Sequence, residues 1–181
     1  MKAIINPLEG IVIEDNLSAV TPHATQGIEI RLGMSKDEVA GILGRAEGEN
    51  GNRHFYFGSE LAIDYDERNT VEFIEFLGGI SGTLQPIIYG AAAFEGDAGE
   101  LFDILKSHNS GEIEDNEDGY SYCFKEISIG LYRTSTPESV QRDIEEMKAD
   151  GVVDQNYIDE ELMKANHWAT IGVGRAGYYK I

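Results

Sequence analysis

The chain is constrained most by an order of segments that occurs twice. Over residues 35–76 a helix-forming stretch is followed by three aromatic or β-branched runs, and over residues 97–173 the same order returns at an offset of roughly 66 positions. In the first copy Ser35 and Glu38 stand at capping-box spacing and Met34 and Val39 are placed as a hydrophobic staple. Val39, Ile42 and Leu43 share one helical face, and Gly44 supplies the stop. Residues 54–57, 60–65 and 70–76 follow as strand candidates, separated by the turn-forming Gly58-Ser59 and Asp66-Glu67-Arg68-Asn69. In the middle run Leu61, Ile63 and Tyr65 alternate with Glu60, Ala62 and Asp64, so one face of an antiparallel meander is expected to pack on the helix.

The second copy opens with Asp97 as N-cap, Glu100 at the capping-box position and an apolar face of Leu101, Ile104 and Leu105. Residues 120–132 echo residues 54–65, with Phe-Lys-Glu-Ile-Ser-Ile in place of Phe-Gly-Ser-Glu-Leu-Ala-Ile. The third strand, residues 168–173, comes after an insertion over about residues 136–166 that reads as two helices. One opens at Thr136-Pro137-Glu138 with Val140, Ile144 and Met147 inward, and the other is capped by Asp154 with Tyr157, Ile158 and Leu162 inward. The expected fold is α+β. It holds two pseudo-repeated helix-plus-antiparallel-meander units, about 27–78 and 88–181, in a single domain of 181 residues. With 41% apolar residues, a chain of this length buries about two-thirds of its unfolded surface.

The stretch Gly27-Ile28-Glu29-Ile30-Arg31-Leu32-Gly33-Met34-Ser35-Lys36-Asp37-Glu38-Val39, followed by Leu43-Gly44, resembles the opening of β-lactamase-inhibitor-like and small-lipoprotein assembly domains, and that of bacterial cytoplasmic proteins of the immunity-protein kind. The chain differs from the lipoproteins in having no lipidation cysteine near its start. The resemblance implies a fold used for protein binding, with no catalytic residues to carry over.

Charge narrows the partner. Thirty-three acidic residues against 14 Lys and Arg leave a formal charge of −19, which repels phosphate backbones and anionic lipid surfaces. Nucleic acid and membrane are therefore not expected as partners, whereas a cationic protein is. The densest negative stretch holds Glu95, Asp97, Glu100, Asp103, Glu112, Glu114, Asp115, Glu117 and Asp118 against the single cation Lys106. Asp103, Glu112, Glu114, Asp115, Glu117 and Asp118 are the candidate partner-binding residues: Asp103 lies off the helix face that buries Leu101, Ile104 and Leu105, and the loop from Glu112 to Asp118 has only Ile113 to draw it inward. One cysteine, Cys123, excludes an internal disulfide and suits a reducing compartment. Near the start no apolar run has the length of a signal core or a membrane span, so a cytoplasmic location is expected. The sequon Asn16-Leu17-Ser18 then has no use.

Motifs for chemistry fail in their context. Gly172-Val173-Gly174-Arg175-Ala176-Gly177 fits a dinucleotide fingerprint, yet only four residues follow, too few for the phosphate-binding helix. With Gly119 at loop position six, Glu114, Asn116 and Asp118 fall on calcium-ligand positions, but position twelve is Lys125 where a bidentate glutamate is required. His23, His54, His108 and His167 form no zinc-ligand spacing, Cys123 alternates with Tyr122 and Phe124 as a strand residue, and Ser81 misses the nucleophile-elbow spacing. No cofactor, metal or catalytic residue is expected. The reading is a non-enzymatic protein-binding domain, of the immunity-type inhibitor kind, directed at a cationic toxin or other basic protein. The alternatives are a small enzyme with an acidic and tyrosine-lined site between the two units, and a structural adaptor.

Overall fold

The structure is a computed structural model that describes residues 1–14 and 27–179, so the sequon and His23 lie outside the described residues. Strands β1 (Lys2–Asn6) and β2 (Gly10–Glu14) form an antiparallel hairpin, and β3 (Ile28–Arg31) pairs with β2. Position 10 requires glycine: its φ is 140°, and a β-carbon there would stand 2.1 Å from the carbonyl oxygen of Ile30.

Helix α1 (Lys36–Leu43) starts as its sequence indicates. The Ser35 hydroxyl accepts from the Glu38 amide, the Glu38 carboxylate accepts from the Ser35 amide, and Gly44 ends the helix with φ 82°. Only Val39 of its expected apolar face is fully buried, and Ile42 is exposed, because the helix spans barely two turns and touches the core along a narrow line. Strands β4 (Gly48–Asn50), β5 (Arg53–Tyr56), β6 (Leu61–Tyr65) and β7 (Val71–Phe76) follow as an antiparallel meander. β8 (Gln85–Ile88) returns to lie parallel to β1, and β9 (Ala91–Ala92) closes a five-stranded sheet of order β3-β2-β1-β8-β9.

Helix α2 (Ala98–His108) is capped by the Asp97 carboxylate, which accepts from the amides of Gly99 and Glu100. It leads into β10 (Ile113–Asp115), β11 (Ser121–Phe124) and β12 (Ile129–Tyr132). Helices α3 (Pro137–Ala149) and α4 (Gln155–Asn166) come next, and β13 (Thr170–Gly174) ends the series. The second sheet has eight strands in the order β10-β11-β12-β13-β7-β6-β5-β4. α1 and α2 thus each precede four strands of this sheet, one more than the spacing indicates, and the two sets meet where β13 pairs antiparallel with β7. The extra strands β4 and β10 are three-residue edges with at most one apolar residue, too short to carry a periodicity that betrays them.

Most of the buried apolar residues form one hydrophobic cluster between the small sheet, α1, α2 and the inner face of the large sheet. Leu61, Ile63 and Tyr65 face it as their alternation requires, joined by Ile74, Phe76, Ile129, Leu131, Ile171 and Val173. Trp168 is buried at its margin and donates through Nε1 to the Ala98 carbonyl at the start of α2. In the α3–α4 hairpin Thr136, Pro137 and Asp154 act as caps and first-turn residues, and Val140 and Ile158 are buried. Tyr157 and Leu162 are not inward: both are 39% exposed, since α4 offers only one narrow side, through Ile158 and Ala165, to the rest of the fold.

Candidate functional site

The acidic segment is built onto the end of the large sheet. β10 is the last strand there and pairs only with β11, in the register Ile113↔Phe124, Glu114↔Cys123, Asp115↔Tyr122. Ile113 packs against the core, so Glu112 and Glu114 flank an anchored residue. Asn109, the buried C-cap of α2, holds the approach to this edge. Its amide nitrogen donates to the carbonyls of Gly111 and Glu112, and its Oδ1 accepts from the amides of Glu126 and Ile127. Across the turn, Asp115 Oδ1 accepts from the amides of Glu117 and Gly119, with Asp118 (φ 48°) and Gly119 (φ 88°) in left-handed conformation. Arg133 fixes the far end. Its Nε donates to the Gly119 carbonyl at 2.9 Å, another guanidinium nitrogen donates to Ala165, and the group lies 5.0 Å from the Trp168 ring centroid. Five of the six candidate residues therefore sit on one braced edge, while Asp103 is exposed on α2.

The segment is less bare than its local composition suggests. Lys125 places its ammonium 3.1 Å from Glu112 and 2.9 Å from Glu114, and these carboxylates hold the lysine's pKa above its usual value. Asp103, Asp115, Glu117 and Asp118 form no ion pair among the described residues. The pairing register alone brings Lys125 there, since it follows directly on β11, opposite Glu112.

A second cluster lies on the outer face of the large sheet. Arg53 donates to Asp64 Oδ2 at 2.9 Å and to Glu75 Oε2, and Thr170 Oγ1 donates to Glu75 Oε1 at 3.0 Å. Burial raises the Asp64 pKa, with Arg53 opposing it. Above these groups the chain folds back after Gly174: the Tyr178 ring stacks on Phe73 at 4.6 Å and Tyr179 meets both edge-on. Burial, then the charges of Asp64 and Glu72, push the Tyr178 phenol up to about 12. The rings fit because the strands beneath carry Gly130, Gly172 and Gly174. Period-two alternation sets Asp64 on this face, but its pairing with Arg53 and Glu75 depends on strand register.

The remaining motifs have structural uses. Gly174 ends β13 and Gly177 has φ 84°, so the glycine-rich stretch is a strand end and turn. Cys123 lies on the outer face, where burial and Glu114 raise its pKa away from a reactive thiolate. His54 is buried against Tyr65, and His167 Nδ1 lies 3.0 Å from the Phe94 carbonyl. Among the described residues no three His, Cys, Asp or Glu gather in a way that could hold a metal ion, and no helix is long and apolar enough to cross a membrane. No family model, curated protein or solved structure matches the chain.

Proposed function

We propose that the chain is a non-enzymatic protein-binding module, of the immunity-type inhibitor kind and cytoplasmic, whose acidic edge engages a cationic toxin or other basic protein. The observation that carries the reading is the bracing of that edge: Asn109 and Arg133 hold both ends of a segment whose Asp115, Glu117 and Asp118 have no cationic partner among the described residues. Like charges held close together repel, and a cationic surface relieves that repulsion while being steered to it. The order helix, then four strands, on either side of the β7–β13 pairing supports a duplicated unit with α3 and α4 inserted in the second. A rigid scaffold of that kind suits occlusion of a partner's working surface.

The test is association with the partner recovered by affinity purification, followed across ionic strength. Neutralising Glu114, Asp115, Glu117 and Asp118 to their amides slows association and flattens its salt dependence without changing the fold. Equal rates and equal salt dependence in parent and variant would reject the edge as the recognition surface.

A second reading, a small enzyme, is favoured by one observation, the raised pKa of Asp64 beside Glu75, Tyr178 and Tyr179. Arg53 already bridges that carboxylate pair and the tyrosine rings cover the face, which weighs toward binding.

A further inference from the structure

The α3–α4 hairpin leaves apolar surface in water that the rest of the fold does not use. Val152 is 67% and Val153 54% exposed in the connection between the helices. Beside them a groove of about 420 Å³ runs between the last turns of α3 and the first turn of α4, with Met147, Val152 and Tyr157 as its apolar lining. The Tyr157 ring is pinned there, because its hydroxyl donates to Asp143 Oδ2 at 3.0 Å. Exposed apolar side chains grouped around a groove mark a contact surface rather than chance exposure.

The rim decides what fits. Asp143, Glu146, Asp150 and Asp154 complete the lining, no Lys or Arg contributes to it, and none of the four is in an ion pair among the described residues. A second copy of this chain would bring another strongly negative surface against the rim, and an anionic headgroup would be repelled in the same way. We infer that this groove takes a basic side chain, lysine or arginine, from a segment of a partner protein. The aliphatic stem lies along Met147 and Val152, the cationic head meets the carboxylates, and the face of Tyr157 supplies a cation–π contact. The inference rests on the reading that the partner is cationic, and it adds a second contact on a different element from β10.

The probe is the peptide acetyl-Leu-Arg-Leu-Arg-amide, titrated into the isotopically labelled full chain and followed by amide chemical shifts. Shifts are expected to concentrate on residues 143–157. The paired substitution Glu146→Gln and Asp150→Asn weakens the peptide about fivefold at low salt, as loss of two exposed charges implies, and the difference disappears in concentrated salt. Val152→Ser weakens it at both ionic strengths. Unchanged spectra away from the groove establish that the variants keep the fold. Shifts confined to residues 112–118, or a Glu146/Asp150 variant that binds like the parent, overturn this inference and leave the acidic-edge reading standing. Absence of shifts at either place overturns both.

Discussion

Gly130 lies directly beneath the hydroxyl of Tyr179: a β-carbon at Gly130 would stand 2.1 Å from that oxygen and 2.8 Å from the ring carbon bearing it. Gly172, its register partner on β13, is overlain in the same way by the Phe73 ring at 2.2 Å. Two bare positions on neighbouring strands thus form the floor under Tyr179 of the last turn and under the β7 ring of Phe73.

Gly130→Ala is expected to lift Tyr179 from the sheet and cost about 1–3 kcal/mol in denaturant unfolding, the usual range for overpacking. Gly41→Ala gives the opposite sign. Position 41 is within α1 with nothing inside 4 Å of the added carbon, so a gain of about 0.5–1 kcal/mol is expected from helix propensity.

The pH dependence of folding should carry the mark of His54. The ring is buried edge-on to Tyr65, and burial, helped by Lys36 and opposed by Glu49, lowers its pKa from the ordinary 6.5. A histidine with a depressed folded pKa favours the native state as the neutral base. As pH falls below the unfolded value, the unfolded chain binds the proton first and stability declines, until the folded pKa is passed. His54→Phe should therefore lose less of its melting temperature between pH 7.5 and 5.5 than the parent does. An equal loss in both would assign that pH dependence to other groups.

Much of the helical part of the fold was legible because caps are local. Ser35, Glu38, Gly44, Asp97, Thr136 and Asp154 each do the work their spacing indicates. The small sheet was not legible, because its central contact pairs β1 with β8, joining residues 2–5 to 85–88 with no local signal between them. Of the acidic site, the segment could be read from charge density. Its bracing could not: Asn109 reaches Glu126, 17 positions away, and Arg133 reaches Ala165, 32 away. A polar residue following a helix is ordinary until its partners are known.

Asn109→Ala should show how much of the acidic edge depends on that bracing. The buried amide satisfies two carbonyls and two amide groups, and its loss leaves them without partners inside the protein, a cost of about 2 kcal/mol. Faster hydrogen exchange at residues 112–115, with β6 and β7 unchanged, is the expected local signature. Uniform acceleration across the chain would mean that Asn109 supports the fold as a whole.

Lys125 ties together metal, stability and association. In a calcium loop counted from Glu114, the twelfth position supplies a carboxylate, whereas here it supplies an ammonium 2.9 Å from the first position's own carboxylate. Chelation with EDTA should leave the melting temperature unchanged; a shift of several degrees would point to a bound ion. Lys125→Gln removes the one cation that bridges Glu112 and Glu114 and leaves two carboxylates unscreened side by side along the β10 edge. Repulsion between them is screened by salt, so the variant should melt below the parent at low ionic strength and approach it as salt is added. Association should move the other way. A more negative edge draws a cationic partner faster, so the variant should associate more rapidly than the parent and with a steeper dependence on ionic strength. If Lys125→Gln lowers stability yet leaves association and its salt dependence untouched, the partner approaches by another surface, and the lysine serves the hairpin alone.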